Sequence, residues 1–444
     1  MKNLLLLLDL LATLAALPLV GLVLLVNRLT CPRKDAPGRR ILVFDMAYTL
    51  EIIQRRKLEV FVTCHDLGGF FEKVWFCHPV ATVITPDNPE DAFGGPTVTP
   101  LSDRHVVIEG KLGLLRVLAG FQLFNFLLSQ TALLARLDRV IRCEGISVIR
   151  SGDPYFLSFL GLILARTNGI PVALRLGAHY DRVREMTGRP VQPRLFPSIE
   201  LEQWVQRQTI PRVDLVAGAT QDYLDFAIQN GADPRRTVVF PYGIAIHPMH
   251  YSPPDARPAP DLGEFATLRG RFVVAVGRLT PVKKSSDLVE VMGRLRQWGV
   301  DCSLLIVGDG ELREQMQARA EELDVDELVL FAGNRSQEWL AEVLPGASAM
   351  LSPLAGRALT ETALAGVPVV AYDVDWHSDV IITGMTGELV PVDDIEAMAE
   401  GARKLLEDQD YARTCGRRLR EKMLDHMDLE KLVATEREAY GRLL

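Results

Sequence analysis

A glycine and two cations follow an apolar run in the stretch VAVGRLTPVKK, residues 274–284. Arg278 and Lys283 stand five positions apart across a turn, so both heads can converge on one anion. A guanidinium and an ammonium group suit a diphosphate leaving group, whose charge grows as its bond to carbon breaks. Gly277 lets a ligand approach the backbone closely. The stretch therefore predicts a diphosphate site, with a solvated basic loop as the alternative.

A second stretch, GRALTETALAG (356–366), combines a helix start with one carboxylate. The free N–H groups and the positive end of a helix attract phosphate, which makes the region of Gly356 a phosphate site. Glu361 follows about one turn into the helix, and its two oxygens can accept both hydroxyls of a ribose. The stretch predicts phosphate and sugar contacts side by side. An acid that only caps the helix or faces solvent is the alternative.

Two more glycines follow apolar runs in the same half of the chain. Gly308 lies in the strand-to-helix turn of IVGDGELR (306–313), and Gly333 ends LVLFAGN (328–334). A nucleotide base could lie against the second turn and use its backbone N–H and C=O groups. Because ligands bind beyond the carboxyl ends of the strands in doubly wound sheets, we expect these turns at the same crevice as the cations.

The elements that must position these residues are strands alternating with helices. Strand-like runs occupy 40–46, 146–152, 172–181, 213–220 and 237–243, and then 271–279, 302–310, 327–334, 347–353, 367–373 and 386–394. Helical patterns lie between most of them. This alternation predicts parallel sheets covered on both faces. The expected fold class is α/β, with two Rossmann-like doubly wound domains behind one N-terminal transmembrane helix.

The Pro-rich stretch HPMHYSPPDARPAPD (247–261) separates the two halves and indicates an interdomain linker. We therefore expect a membrane anchor over 1–30, an acceptor-side domain over 38–246 and a linker over 247–268. A nucleotide-sugar-binding domain would follow over 269–426. A C-terminal helix over 427–444 would pack back on the first domain.

Residues 4–26 are apolar apart from Asp9 and Thr13. At about 1.5 Å per residue, this segment can cross about 30 Å of hydrocarbon. A cleaved signal peptide is the alternative, although its apolar core would be about 7–15 residues and would precede a small-residue cleavage site. Only Lys2 precedes the segment and several basic residues follow it, which places the rest of the chain in the cytoplasm. We expect a single-pass anchor in the cytoplasmic membrane.

The segment 111–142 is apolar over more than one helical stripe. A buried helix is one interpretation. The other is a helix that meets the bilayer surface through flanking basic residues, as an anchored enzyme with a lipid-borne substrate would need.

Charge and cysteine content exclude some classes of protein. The net charge of −8 argues against a general nucleic-acid binder, and the six cysteines form no CxxC motif, which fits a reducing compartment. The pairs Cys64–His65 and Cys77–His78 could suggest a metal site, but neighbours on a strand point to opposite faces. His247 and His250 are expected to be solvated loop residues.

Taken together, in this order and spacing, the four stretches of the second half resemble the donor half of the GT-B glycosyltransferases, specifically glycosyltransferase family 4. The elements GRL-x-x-x-K, VGDG-x-L and E-x-x-L-x-G-x-P-V-V followed by TGELV carry the resemblance. It covers about 270–425 well and the first domain only in outline. It implies two domains facing a cleft, with Arg278 and Lys283 at the donor diphosphate, Glu361 at the ribose and Gly356 near the phosphate and sugar.

The resemblance also implies the reaction. A sugar would move from a nucleoside-diphosphate donor to a hydroxyl with retention of anomeric configuration, on a lipid-linked or surface-glycan acceptor at the membrane. No cofactor and no metal are expected, because the two cations do what a metal does elsewhere. The family has a histidine near the transferred sugar, and His179 in RLGAHYD is the candidate, with a structural strand-end histidine as the alternative. Gly68, Gly69 and Asp153 are further candidate contacts.

Two positions depart from the family pattern. Pro353 stands where the family usually has a glutamate, eight residues before Glu361, and Lys284 stands where it often has glycine. The missing glutamate leaves the donor sugar open. It also allows a catalytically weak or inactive nucleotide-sugar-binding subunit of a glycan-assembly complex. A sugar-nucleotide epimerase is a third reading, which a membrane anchor argues against.

Overall fold

Apolar runs in both halves of the chain form parallel β-sheets. The structure is a computed structural model that describes residues 2–34, 38–81, 92–241, 246–258, 262–268 and 271–444. The chain divides into two units. The first comprises Met1–Phe240 together with Val433–Leu444, and the second comprises Pro241–Leu432.

The first unit is built on a sheet with the strand order β3-β4-β2-β1-β5-β6-β7-β8, eight strands within the described residues. Only β3 runs antiparallel to its neighbour, β4. Apolar side chains cover both faces of the central strands, as parallel sheets require. The strands are β1 (Arg40–Phe44), β2 (Lys73–His78), β3 (Thr97–Pro100), β4 (His105–Glu109), β5 (Val148–Ser151), β6 (Val172–Leu176), β7 (Leu215–Gly218) and β8 (Thr237–Val239).

The helices of the first unit have clear start and stop signals. Ser198 and Thr220 accept backbone N–H groups at two helix starts, and Gly145 and Gly169 end two helices in the left-handed conformation. The helices are α1 (Lys2–Thr30), α2 (Leu50–Arg55), α3 (Val60–Thr63), α4 (Gln122–Glu144), α5 (Phe156–Asn168), α6 (Tyr180–Thr187), α7 (Ile199–Thr209) and α8 (Gln221–Gln229).

The second unit has a fully parallel sheet with the order β11-β10-β9-β12-β13-β14. Its strands are β9 (Phe272–Val276), β10 (Ser303–Val307), β11 (Val329–Gly333), β12 (Ala349–Ser352), β13 (Val369–Tyr372) and β14 (Gly387–Val390). Its helices are α9 (Asp287–Gln297), α10 (Arg313–Glu322), α11 (Gln337–Val343), α12 (Arg357–Leu364), α13 (His377–Val380), α14 (Ile395–Glu407) and α15 (Gln409–His426). Each sheet face carries its own apolar core.

The last helix, α16 (Leu429–Gly441), returns the chain to the first unit. There Glu436 lies 3.2 Å from the Arg150 guanidinium at the end of β5, and both side chains are largely buried. Arg437 donates to the backbone carbonyls of Leu67 and Gly68, and the Tyr440 ring packs edge-on against Phe71. The C-terminal residues thus complete the core of the first unit.

Most of the strands expected from the sequence are present, and the two-unit α/β architecture is confirmed. The sequence analysis missed β2, β3 and β4. The run 172–181 is shorter as a strand than expected, because His179 already accepts a backbone N–H as the cap of α6. The end of the run 237–243 lies outside the described residues.

The segment expected to be a linker, where described, belongs to the second unit. It forms short 3₁₀ turns, among them Pro248–Tyr251, which contacts α11 and α12. The expectation of solvated loop histidines is wrong for His250, whose side chain is fully buried. Residues 259–261 and 269–270 lie outside the described residues.

Arg257 holds this segment in place through carbonyl groups from three parts of the chain. Its guanidinium donates to the backbone oxygens of His250, Ser252, Ala341 and Leu364 at 2.6 to 3.2 Å, and the residue is 8% exposed. Burial, together with the nearby Arg420, lowers the pKa of the guanidinium to about 10. One side chain therefore ties the turn to both α11 and α12.

We expect Arg257→Met to lower the free energy of unfolding of the second unit by about 2–4 kcal/mol, because four buried carbonyls lose a charged donor. Arg413→Ala is the control, since Arg413 pairs with Asp410 on the exposed surface and should change stability by less than about 0.5 kcal/mol. Denaturant unfolding measures both. Equal effects of the two substitutions would contradict the role of Arg257.

Candidate functional site

The two cations singled out in the sequence line one cavity at the carboxyl edge of the second sheet. Its lining includes Gly277, Arg278, Lys283, Ser352 and Pro353, which follow β9 and β12. These strands are neighbours in the sheet, so the loops after them meet at the same edge. The arrangement puts two positive charges beside a hollow.

The loop between the two cations is fixed by its own backbone and by one serine. Ser285 Oγ donates to the carbonyl of Arg278 at 3.1 Å and accepts from the N–H of Thr280 at 3.3 Å. The turn Pro281–Lys283 ends at Lys284, whose φ of 49° lies in the left-handed region. This conformation gives a physical reason why glycine would suit position 284.

The Lys283 side chain is half-buried, and its amine bonds to the protein backbone. It donates to the carbonyl of Ala355 at 2.8 Å, in the loop before α12. Burial lowers the pKa of this amine to about 8; the Asp375 carboxylate acts against the shift and the Arg278 guanidinium adds to it. An amine held this way gains from an anion, because the anion restores the favourable surroundings of its charge.

Gly308 has a structural role that the sequence analysis did not foresee. Its φ is +141°, and a Cβ added there would lie 1.9 Å from the carbonyl oxygen of Gly277. Gly277 itself has open space where a Cβ would stand. Gly308 thus lets β9 and β10 approach each other, and Gly277 leaves room beside the cations. Gly333, with φ +65°, bonds to Gly308 through its carbonyl at 2.8 Å.

The start of α12 reaches the cavity region, whereas its carboxylate lies outside the cavity lining. Lys283 Nζ is 3.4 Å from the position of a Cβ on Gly356, the cap of α12. Glu361 is 1% exposed and pairs with Arg357 one turn earlier, at 2.9 Å from Nε. The buried His250 lies close enough for the Glu361 charge to act on its pKa, although burial dominates and lowers that pKa to about 4.

A buried serine–histidine pair beside the cavity was not found from the sequence. His377 Nδ1 lies 2.8 Å from the carbonyl of Tyr372, so it must carry the proton of that bond. Burial lowers the pKa of His377 to about 4, and its Nε2 therefore accepts from Ser352 Oγ at 2.9 Å. The hydroxyl proton of Ser352 is committed to His377, and the oxygen lone pairs remain as acceptors. Positions 352 and 377 lie 25 residues apart and form no motif.

His179, the candidate from the first half, belongs to the first unit. It caps α6 by accepting the N–H of Arg182 at 3.4 Å, and its ring packs against Phe226. Partial burial lowers its pKa, and Arg182 adds to that effect. Gly277, Arg278, Lys283, Gly308, Gly333, Gly356 and Glu361 all belong to the second unit.

Metal-binding side chains are not clustered in the part of the chain that the structure describes: no group of three or more His, Cys, Asp or Glu residues there could hold an ion. The pairs Cys64–His65 and Cys77–His78 fall on a helical turn and on β2.

Comparisons with known proteins agree with this architecture. Residues 265–422 match the family described as glycosyl transferases group 1, and residues 76–243 match a glycosyl transferase 4-like domain. Alpha-D-kanosaminyltransferase of Streptomyces kanamyceticus is 24% identical over 79% of this chain and 88% of its own.

Another relative is the GDP-mannose-dependent alpha-(1-6)-phosphatidylinositol monomannoside mannosyltransferase of Mycolicibacterium smegmatis. It is 30% identical over 41% of this chain and 54% of its own. The chain spans only about half the length of several curated relatives that it matches. Among solved structures, Anabaena Alr3699/HepE in complex with UDP and glucose superposes with a TM-score of 0.67, at 16% identity, over 91% of this chain and 100% of its own.

Two α/β units, each built on a mainly parallel sheet, define a GT-B-like glycosyltransferase fold. With both halves matched, the chain belongs to the group 1 glycosyltransferases, with a family 4-like first domain.

The two neighbouring glycines at the cavity should respond differently to substitution. Gly308→Ala should lower the free energy of unfolding by at least about 2 kcal/mol, because its Cβ meets a backbone oxygen and its φ is positive. Gly277→Ala should leave stability within about 0.5 kcal/mol, since its Cβ meets nothing, and should weaken nucleotide binding if a ligand occupies that space. Thermal unfolding and calorimetric titration measure the two effects. A stable Gly308→Ala protein would refute this assignment.

Nucleoside-diphosphate affinity should fall as the pH rises through about 8. The free Lys283 amine loses its proton there, whereas the bound anion raises its pKa, so binding takes up a proton. Between pH 8 and the higher pKa of the bound state, affinity should drop by up to about tenfold per pH unit. Titration with UDP and GDP above pH 7.5 measures this. Lys283→Arg is the control, because its charge persists and the fall should disappear.

Proposed function

We propose that the protein is a retaining glycosyltransferase that moves a sugar from a nucleoside-diphosphate donor to a lipid-linked or surface-glycan acceptor at the cytoplasmic face of the membrane. One observation carries the proposal: the amine of the half-buried Lys283 and the exposed Arg278 line the same cavity at the carboxyl edge of a parallel sheet. Among the described residues no carboxylate is bonded to the amine, and two cations held together in this way suit a ligand with more than one negative charge.

The diphosphate of the donor would occupy the space between Arg278 and Lys283. Negative charge develops there as the sugar–phosphate bond breaks, and fixed cations stabilise that charge without reorganising. The open space at Gly277 leaves room for the phosphate oxygens beside the backbone. In this proposal the cations take the place of a metal ion, and transfer should persist after treatment with a chelator.

The ribose would bind to Glu361 next to the start of α12. The Arg357 guanidinium lies 2.9 Å from Glu361 Oε1 and fixes the position of the carboxylate, whose remaining lone pairs can accept hydroxyl groups. The nucleotide base would then lie along the turn that begins at Gly333, the last residue of β11. UDP is bound by the similar HepE protein, which makes a uracil base a first candidate.

The transferred sugar would contact Ser352. The family pattern has a glutamate at the next position, where this chain has Pro353. Ser352 lines the cavity, and its lone pairs can accept a sugar hydroxyl because its proton is held by His377. A neutral acceptor binds a hydroxyl less strongly than a carboxylate does. The donor sugar is therefore expected to differ from that of relatives with the glutamate.

The acceptor side would come from the first unit, with His179 near the transferred sugar. Retention of configuration follows from the family resemblance, and in that mechanism the leaving phosphate itself takes the proton of the acceptor hydroxyl. A membrane-lipid acceptor is named for the mannosyltransferase relative. Among the described helices, α1 has the length and composition to enter a membrane, which would keep both units at the cytoplasmic surface.

We expect Arg278→Ala to lower kcat/KM for transfer by about 10²–10³-fold, as removal of one charge-stabilising donor does in other enzymes. Arg294→Ala is the matched control, because Arg294 pairs with Glu396 on the surface away from the cavity. The assay supplies UDP-, GDP- and ADP-sugars with membrane lipid extracts and follows the anomeric configuration of the product by NMR.

Undiminished transfer by the Arg278→Ala variant would contradict the proposed diphosphate site. An inverted product would overturn the retaining mechanism alone. Pro353 favours one second candidate, a nucleotide-sugar-binding subunit without catalysis; donor binding without hydrolysis or transfer in this panel would support it.

A further inference from the structure

The N-terminal helix α1 has Asp9 and Asn27 inside and most of its leucines outside. Buried or half-buried positions recur at helical spacing on one face, from Asp9 through Thr13 and Leu24 to Asn27. The large apolar side chains that are exposed on the rest of the helix are Leu4, Leu5, Leu6, Leu7, Leu8, Leu10, Leu11, Leu14, Leu17, Leu22, Leu25, Val26 and Leu29. In water this is the reverse of an amphipathic helix of a globular protein.

Asp9 joins α1 to the start of α4. One carboxylate oxygen accepts the N–H of Leu123 and the other accepts the N–H of Phe124, both at 2.9 Å. Those N–H groups begin a helix and have no partner within it. A residue from α1 thus caps α4, and the 4% exposure of Asp9 shows that water has little access to the contact.

The other end of α1 is fixed to α4 as well. Asn27 donates to the carbonyl of Ala135 and accepts from Arg139 Nε, both at 2.8 Å. Beyond the helix, the sulfur atoms of Cys31 and Cys143 lie 2.7 Å apart. Contacts from residue 9 to residue 31 therefore follow residues 123 to 143 in the same order, so the two helices run parallel from Asp9 onwards.

We propose that α1 stays docked on α4 in the membrane and lies along the cytoplasmic leaflet, so that it enters the bilayer without crossing it and both its ends remain on one side. The inference rests on the proposed membrane location and replaces the single crossing expected from the sequence. The occupant of the exposed leucine face is the hydrocarbon of the lipid bilayer.

Separating α1 from α4 would cost free energy that the docked arrangement does not lose. A free crossing helix would carry the Asp9 carboxyl into hydrocarbon and would leave the N–H groups of Leu123 and Phe124 without their partner. A docked crossing helix would take α4 with it, including Asp138 and Arg142, which form a buried ion pair.

Neighbouring residues continue the same surface. Asn125 of α4 accepts from the N–H of Leu115, which places that loop at the start of α4 near Asp9. Leu115, Val117 and Leu123 are all exposed there. Arg28 and Arg139 are exposed at the far end and suit lipid phosphates. A leucine face of this extent flanked by cations fits an anionic leaflet better than a water-exposed surface.

A topology experiment on the full chain tests the proposal. A short uncharged protease-cleavable tag is placed before Met1, and a second one after Leu444 serves as the orientation control. We expect protease to remove both tags in inverted membrane vesicles and neither in intact spheroplasts. Removal of the N-terminal tag from spheroplasts, with the C-terminal tag protected, would show a crossing helix and overturn the proposal. The readout does not depend on transferase activity, so the proposed reaction can fail separately.

Docking in the membrane is tested with a matched pair of substitutions. Asp9→Leu should lower the thermal unfolding temperature of the membrane-extracted chain and speed proteolysis near residue 122, because α4 loses its cap. Leu10→Ala, one residue along on the exposed face, should do neither. An unchanged Asp9→Leu protein would mean that α1 does not dock, and would contradict the proposal.

The lipid contact is tested on the exposed face. The triple substitution Leu7→Asp, Leu14→Asp and Leu25→Asp should move at least tenfold more protein into the soluble fraction while leaving the unfolding temperature unchanged. Two results would overturn the proposal: full retention in the membrane, or a wild-type chain that is soluble as a dimer and becomes a monomer on this substitution. The second would assign the leucine face to another copy of the chain.

Discussion

The burial of the Lys283 amine beside Arg278 is the interaction on which the functional argument depends. Two like charges repel, and the half-buried amine has exchanged part of its water for the carbonyl of Ala355. The protein maintains this arrangement because Ser285 fixes the loop and β9 and β12 are adjacent in the sheet. A dianionic ligand is the group that relieves both the repulsion and the desolvation. In the proposed function, the fold would hold ready a site that is complete only with its ligand.

Local sequence was enough to predict much of the fold. Apolar runs such as those of β9, β12 and β13 are buried on both faces and therefore read clearly as strands. β3 is half-exposed and antiparallel, so it lacks that signature. β2 and β4 were missed although they are largely buried, because the described residues next to them form turns rather than the helices that mark parallel strands.

The site was predictable where one stretch of chain carries it, and not where distant residues meet. Arg278 and Lys283 lie on one short loop, and their convergence could be read from spacing. The bond from Ser352 to His377, the Arg357–Glu361 ion pair and the capping of α4 by Asp9 depend on packing. His250 was misjudged for the same reason, because its Pro-rich surroundings gave no sign that Arg257 would draw that turn onto two helices.

The return of residues 433–444 to the first unit has a consequence for biosynthesis. Most of that unit is synthesised early. Arg150 can pair with Glu436, and Phe71 can pack against Tyr440, only after residues 433–444 have been synthesised. The nascent chain therefore passes through a long interval in which the first sheet exists without its final helix. Maturation of the amino-terminal half therefore waits for residues 433–444, and loss of those residues would damage the part of the protein made first.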